Sequence, residues 1–253
     1  MKISVLMIFL FIFNSHLFAK ERMITLGITE ACPFMCPDNA NKGFAVDITK
    51  AALKIQGYYV KTVSLPWARG LSDSEEGKIN GVISGTKLEM INLIIPKEEI
   101  GIQRDCFFGL ATADWKVQNI DSLKGHNSIA FKGWSFENEL ISRYGNKEYK
   151  KFITNFSIDE FYMPRVVQLI EEKRYDSFWY EPVALEYFLK NKRPDLEKKI
   201  VNLGCVKEQK LYIGLTKSKL SKTIAEDFDR GIKKIKLNGV FKEILKKYQV
   251  NEW

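Results

Sequence analysis

Short stretches with the period of a β-strand alternate with longer stretches with the period of a helix, and the alternation runs twice along the chain. In the first round "MITLGIT" reads as strand, and "GFAVDITKAALKIQG" carries a helical stripe of Val46, Ala51 or Ala52, Leu53 and Ile55 that stops at Gly57. "YYVKTVSL" is again strand-like, Pro66 suits the first turn of a helix through "WARGLSDSEEG", and "KINGVISG" is a third strand. In the second round "NSIAF" is a short strand, "KGWSFENELISRYG" a glycine turn into a helix, and "KKFITNF" a strand. "SIDEFYMPRVVQLIEEKRY" opens with Ser157 and Glu160 at the spacing of a capping box, with a possible restart of the helix at Pro164. "DSFWY" reads as a buried strand, Pro182 starts the helix "PVALEYFLKN", and "KLYIGLTKS" is the last strand. Ile224, Phe228, Ile232 and Ile235 stripe one closing helix, and Asn238-Gly239 breaks the chain before another, "VFKEILKKY". Such alternation predicts an α/β class with parallel pairing in two halves. No low-complexity linker separates them, so the halves are expected to share a rigid cleft, where strand ends and helix N-termini form a small-ligand site.

The first residues point to export. Lys2 is a short basic head, Val5 to Phe13 is an unbroken apolar run, and "NSHLFA" ends in the small residue Ala19. That pattern predicts a secretory leader over residues 1–19, with an apolar run too short to span a bilayer. No cysteine follows the run at the cleavage point, so no lipid anchor is implied. The mature chain is expected to be soluble and periplasmic. Four cysteines, Cys32, Cys36, Cys106 and Cys205, enter an oxidising compartment and are expected as disulfides. Of the three pairings that four cysteines allow, we take Cys32–Cys36 as a local clamp, with Cys106–Cys205 as a long-range staple; cysteine-only zinc sites prefer tighter spacings.

Composition narrows the chemistry further. His16 leaves with the leader, so His126 is the one histidine of the mature chain, which weakens Ser-His-Asp, Cys-His and multi-histidine metal chemistry. Catalysis by carboxylates alone stays open. The formal charge of +8, or +7 without Lys2, comes from lysines spread along helix faces such as "IKKIKLNGVFKEILKKY". That is a solvated face rather than a nucleic-acid footprint.

The collinear order of "ITLGITEACPF", "KGFAVDITKAALKIQGYYVKTVSLPWARGL", "EEGKINGVISGT", "SIAFKGWSF", "LIEEKRYDSFWYEPVALEYFL" and "LNGVFKEILKKY" resembles the family-3 extracellular solute-binding proteins, the type II periplasmic binding proteins of polar amino acid uptake. The resemblance spans essentially the whole mature chain and is nearest to the branch with a "PWAR" element. It implies a two-lobed type II periplasmic-binding-protein fold with a hinge of two crossover strands. Lobe 1 would comprise residues 20–110 and 216–253, and lobe 2 residues 111–215. It further implies a monomer without enzymatic activity, cofactor or metal, which captures a small polar solute by closing around it and passes it to an ABC permease or membrane sensor.

Carried over position by position, the resemblance implies a ligand site of Glu30 and Phe34 after the first strand, with Phe34 as the stacking ring. Trp67 and Arg69 would follow at the next turn, then Ser84, Gly85 and Thr86 at the third strand's end. In the second half Gly133, Trp134 and Ser135 would offer helix N–H groups to an anion, and Glu181 would hold the ligand's ammonium. One position departs from the family. Its usual Thr-x-x-Arg, whose arginine clamps a carboxylate, reads here as Thr86-Lys87-Leu88-Glu89. Either Arg69, Arg104 or Lys132 replaces that arginine, or the ligand is not an α-amino acid.

Plainer roles stand beside these. Trp67 is equally a core residue and Arg69 a surface ion-pair residue. Phe178 and Trp179 read as core, Glu181 as a charge at a helix N-terminus, and Glu89 as solvated. Two other functions compete: a carboxylate enzyme on the same scaffold, such as a dehydratase using Glu30 or Glu181, and an exported interaction module without a ligand.

Overall fold

A computed structural model describes residues 22–37, 40–134, 136–159 and 161–252; the leader expected over residues 1–19 lies outside them. The first round of alternation forms as β1 (Arg22–Ile28), α1 (Phe44–Lys54), β2 (Tyr58–Ser64), α2 (Trp67–Glu75) and β3 (Gly81–Gly85). β1 pairs in parallel with both β2 and β3, as helical crossovers require. α1 buries the face of Val46, Ile48, Ala52 and Leu53, and Gly57 ends its turn at a φ of 79°.

A long strand that the periodicity did not mark, β4 (Gly101–Leu110), precedes the second round. Then come β5 (Ser128–Phe131), α3 (Glu137–Tyr144), α4 (Asn146–Phe152), β6 (Ile153–Phe156), α5 (Tyr162–Glu171), β7 (Ser177–Tyr180) and α6 (Pro182–Lys192). β8 (Ile200–Leu215), α7 (Lys219–Leu237) and α8 (Val240–Lys247) close the chain. Two boundaries differ from expectation. "KKF" belongs to α4, and the strand begins only at Ile153. α5 starts at Tyr162 rather than after Ser157, because Asp159 turns the chain by accepting from the Phe161 N–H with its side chain and from the Tyr162 N–H with its carbonyl. Pro164 then sits in the first turn, where its missing N–H costs nothing. Glu160, the other half of the expected capping box, is outside the described residues.

The strand order is β2-β1-β3-β8-β4-β7-β5-β6. β8 carries the sheet from one half to the other. Tyr212–Leu215 pair with β3, whereas the rest of the strand runs antiparallel to β4. β4 in turn meets β7 only at Cys106, Phe107 and Phe108. Residues 102–105 and 207–210 therefore pair only with each other and make a two-stranded ribbon between the halves. Both expected disulfides form: Cys32–Cys36 closes the loop after β1, and Cys106–Cys205 joins β4 to β8 at the ribbon's end. α7 and α8 return to pack on α1, and the Tyr58 hydroxyl at the start of β2 donates to Asp227 of α7 at 2.7 Å. No helix among the described residues is long and apolar enough to cross a membrane.

Candidate ligand-binding site

Where the two halves face each other across the ribbon they enclose a cavity of about 50 Å³, several times the roughly 10–15 Å³ that one water needs. Thr29, Phe34, Trp67, Ser84 and Glu89 line it from the first half, and Phe131, Ile158, Trp179, Tyr180 and Glu181 from the second. Gln103 and Leu211 come from β4 and β8.

Each wall is placed by local chemistry. Phe34 lies in the disulfide-closed loop after β1, and the first N–H groups of α1 fix that loop: Phe44 donates to the Pro33 carbonyl at 2.9 Å and Ala45 to that of Phe34 at 3.2 Å. The loop lies on Gly43, at a φ of 101°, where a Cβ would fall 2.2 Å from the Phe34 carbonyl oxygen. Trp67 opens α2 directly after Pro66. Its ring has room because residue 85 is glycine; a Cβ there would meet the ring at 2.8 Å. Ser84 takes a φ of 71°, where the register of β3 against β8 breaks, and this bulge turns its side chain to the cavity.

Two carboxylates face the cavity, while no lysine, arginine or histidine lines it among the described residues. Glu181 caps α6 by accepting from the Ala184 N–H at 2.9 Å. Burial pushes its carboxyl up to about 7, against the pull of backbone N–H groups and the Arg104 charge. Glu89 accepts from the Thr86 N–H and hydroxyl, both at 2.8 Å and both on Oε2. The residue is half-buried, and its carboxyl is pushed up to about 8 by desolvation, with Asp105 adding to the rise and the Thr86 bonds opposing it. Contrary to the expectation of a solvated side chain, position 89 is a wall of the site.

The other expected ligand residues separate into two groups. Phe34, Trp67, Ser84 and Glu181 line the cavity. Gly85 and Thr86 lie behind it, the one making room for Trp67 and the other holding Glu89. Arg69 points away along its own helix to Asp73, at 2.8 Å, with 59% of its side chain exposed. Arg104 is exposed and paired with Glu208 at 3.1 Å, and Lys132 is exposed. None of these three cations lines the cavity. Glu30 faces a neighbouring open groove with Asp159, Tyr162 and Tyr180.

The turn of Gly133 and Trp134 is satisfied internally. The Gly133 N–H donates to Glu137, whose other oxygen accepts from Asn155, and Asn155 accepts from the Tyr149 hydroxyl at 2.8 Å. Trp134 is buried and gives its indole N–H to Tyr149 at 3.0 Å. It is core, packed edge-on against Phe107 and Trp179. Ser135 lies outside the described residues. By contrast the indole N–H groups of Trp67 and Trp179, both buried and both bordering the cavity, meet no acceptor among the described residues.

Sequence reasoning missed Thr29, Gln103, Phe131 and Tyr180, and gave Trp179 to the core alone. Tyr180 and Phe131 end strands whose alternation was plain, so strand-end position was the signal available. Gln103 had none, since β4 itself was not marked.

No family of known proteins has a profile matching the sequence, and no curated protein matches it. Solved structures do match over nearly the whole chain. An ancestral arginine-binding protein bound to arginine superposes with a TM-score of 0.71 at 19% identity, covering 90% of this chain and 99% of that one. The fold is that of the two-lobed type II periplasmic binding proteins. A histidine kinase sensor domain with similarity to periplasmic binding proteins matches with a TM-score of 0.73 at 16% identity, over 90% and 96% of the two chains. A substrate-binding protein of an ABC uptake transporter from Streptococcus pneumoniae, with bound histidine, matches with a TM-score of 0.70 at 16% identity, over 89% and 92%.

Proposed function

We propose that this chain is an exported, monomeric solute-binding protein of the family-3 type that captures a small polar solute and hands it to an ABC permease or a membrane sensor, without chemical change. Lobe 1 comprises residues 20–110 and 216–253, lobe 2 comprises residues 111–215, and closure about the ribbon encloses the solute. The observation that carries this reading is the cavity itself: both halves contribute walls and only the ribbon lies beneath. A ligand touching both lobes stabilises the closed state by its differential affinity. The matched structures support the reading, being an arginine-binding protein, a substrate-binding protein of an ABC uptake transporter and a histidine kinase sensor domain.

A thermal-shift screen of the purified protein against amino acids, amines, dipeptides and small carboxylates tests it. A binder present at a hundredfold excess over its Kd stabilises by about 2.7 kcal/mol, a rise of roughly 5–10 °C for a chain of this size. Silence across every solute class would refute the reading. One observation favours a second reading, a carboxylate enzyme: Glu181 titrates at about 7, where a general acid or base works best. Consumption of a bound solute, followed by mass spectrometry, would establish it.

A further inference from the structure

The positively charged chain carries an acidic, aromatic interior. Glu89 and Glu181 face the cavity from opposite halves, and no cation lines it among the described residues, the Arg104 charge acting on Glu181 from outside the lining. Asp105, fully buried on β4 between Gln103 and Gln209, adds negative charge behind Glu89. Trp67 and Trp179 line the same space, and aromatic rings attract cations. Of Glu89, only Oε2 is engaged by Thr86, which leaves Oε1 without a protein donor among the described residues.

We infer that the ligand is a small organic ammonium without a carboxylate, held between Glu89 and Glu181 and walled by Trp67 and Trp179. This rests on the binding-protein reading given above and names the solute class of the same site. The ammonium donates to Oε1 of Glu89 and to the Glu181 carboxylate. A ligand carboxylate finds no counter-cation in the cavity, so an α-amino acid would place it against two acids. The charged groups facing the two acids are Asp105 toward Glu89, and Arg104 and Tyr180 toward Glu181, with Glu30 beyond Tyr180. Near neutrality burial keeps Glu89 mostly protonated and Glu181 partly so, and a cation that needs them ionised displaces protons as it binds.

Isothermal titration with 2-aminoethanol and 1,4-diaminobutane, beside L-glutamine, L-arginine and succinate, tests the inference. At least one amine is expected to bind more tightly than every carboxylate-bearing solute, about tenfold or more tighter at pH 8 than at pH 6, with release of about one proton per ligand near pH 7. Glu89→Gln is expected to weaken that amine at least tenfold and to lower the proton release. If an amino acid or succinate binds more tightly than every amine, the ammonium class is refuted while the binding-protein reading stands. If an amine binds the variant as tightly, with unchanged proton release, Glu89 is not its partner and the inference falls. If no solute of any class binds, the inference and the function reading fail together.

Discussion

Replacing Glu89 by glutamine changes how stability depends on pH, and the size of the change follows from the site. In the folded protein burial raises the Glu89 carboxyl from the ordinary 4.5 to about 8. Between those values the folded chain keeps a proton that the unfolded chain releases, so raising the pH favours unfolding. The stabilisation is full below about pH 4.5 and gone above about pH 8. Glu181, raised from 4.5 to about 7, acts in the same direction over a narrower window. From about pH 5.5 to about pH 8.5 the empty wild-type protein is expected to lose about 5 kcal/mol, about 3 from Glu89 and about 2 from Glu181, at about 1.4 kcal/mol for each pH decade. The carboxyls held below their usual range, such as Asp73 and Asp195, are ionised in both states across this interval and add nothing. Glutamine retains an oxygen for both Thr86 donors, so Glu89→Gln is expected to match wild type near pH 5 and to exceed it by about 3 kcal/mol at pH 8.5. Urea unfolding followed by tryptophan fluorescence, with equal m-values, measures the difference. Parallel pH curves for the two proteins would refute the desolvated carboxyl, and with it the placement of position 89 in the cavity wall.

Three further outcomes follow from the geometry. Arg69→Ala removes an exposed partner of the buried Asp73 carboxylate, so a lowered melting temperature is expected while solute affinity stays at the wild-type value; a loss of affinity in titration would return Arg69 to the site. Trp134→Phe removes the indole N–H given to Tyr149 and is expected to cost about 1–3 kcal/mol in urea unfolding while affinity is kept; the reverse pattern would make Trp134 a ligand residue. Gly43→Ala sets a Cβ against the Phe34 carbonyl at a φ of 101°. It is expected to destabilise by more than about 1 kcal/mol and to weaken binding through Phe34, and a wild-type unfolding curve would contradict the packing described.

What the sequence reveals and conceals divides along physical lines. Parallel units such as β1-α1-β2 were legible because their periodicity reports burial on one helix face or in a strand. β4 was not, since the polar run Gln103, Arg104 and Asp105 interrupts its apolar residues although only Arg104 is exposed, and the start of β8 was not, since many of its residues face solvent. In the site, Phe34, Trp67, Ser84 and Glu181 stand at strand ends that the pattern located. Glu89 was misread because charge suggests exposure, and only the fold shows the turn of Thr86 bringing its carboxyl under the cavity. Trp134 and Trp179 exchanged roles for a similar reason. Trp134 follows one apolar strand and Trp179 lies in another, and what separates them is whether a distant Tyr149 satisfies the indole.

The manner in which the two acids are anchored bears on how such a protein changes over generations. Glu181 serves α6 as well as the cavity, so its exchange disturbs a helix as well as a ligand. Glu89 leans only on Thr86, three residues earlier, among the described residues. Its hydrogen bonds among the described residues are thereby local, and Asp105 of β4 is the distant group that senses its charge. A substitution at position 89 therefore changes the charge of that wall while disturbing, among the described residues, the hydrogen bonds of one short turn.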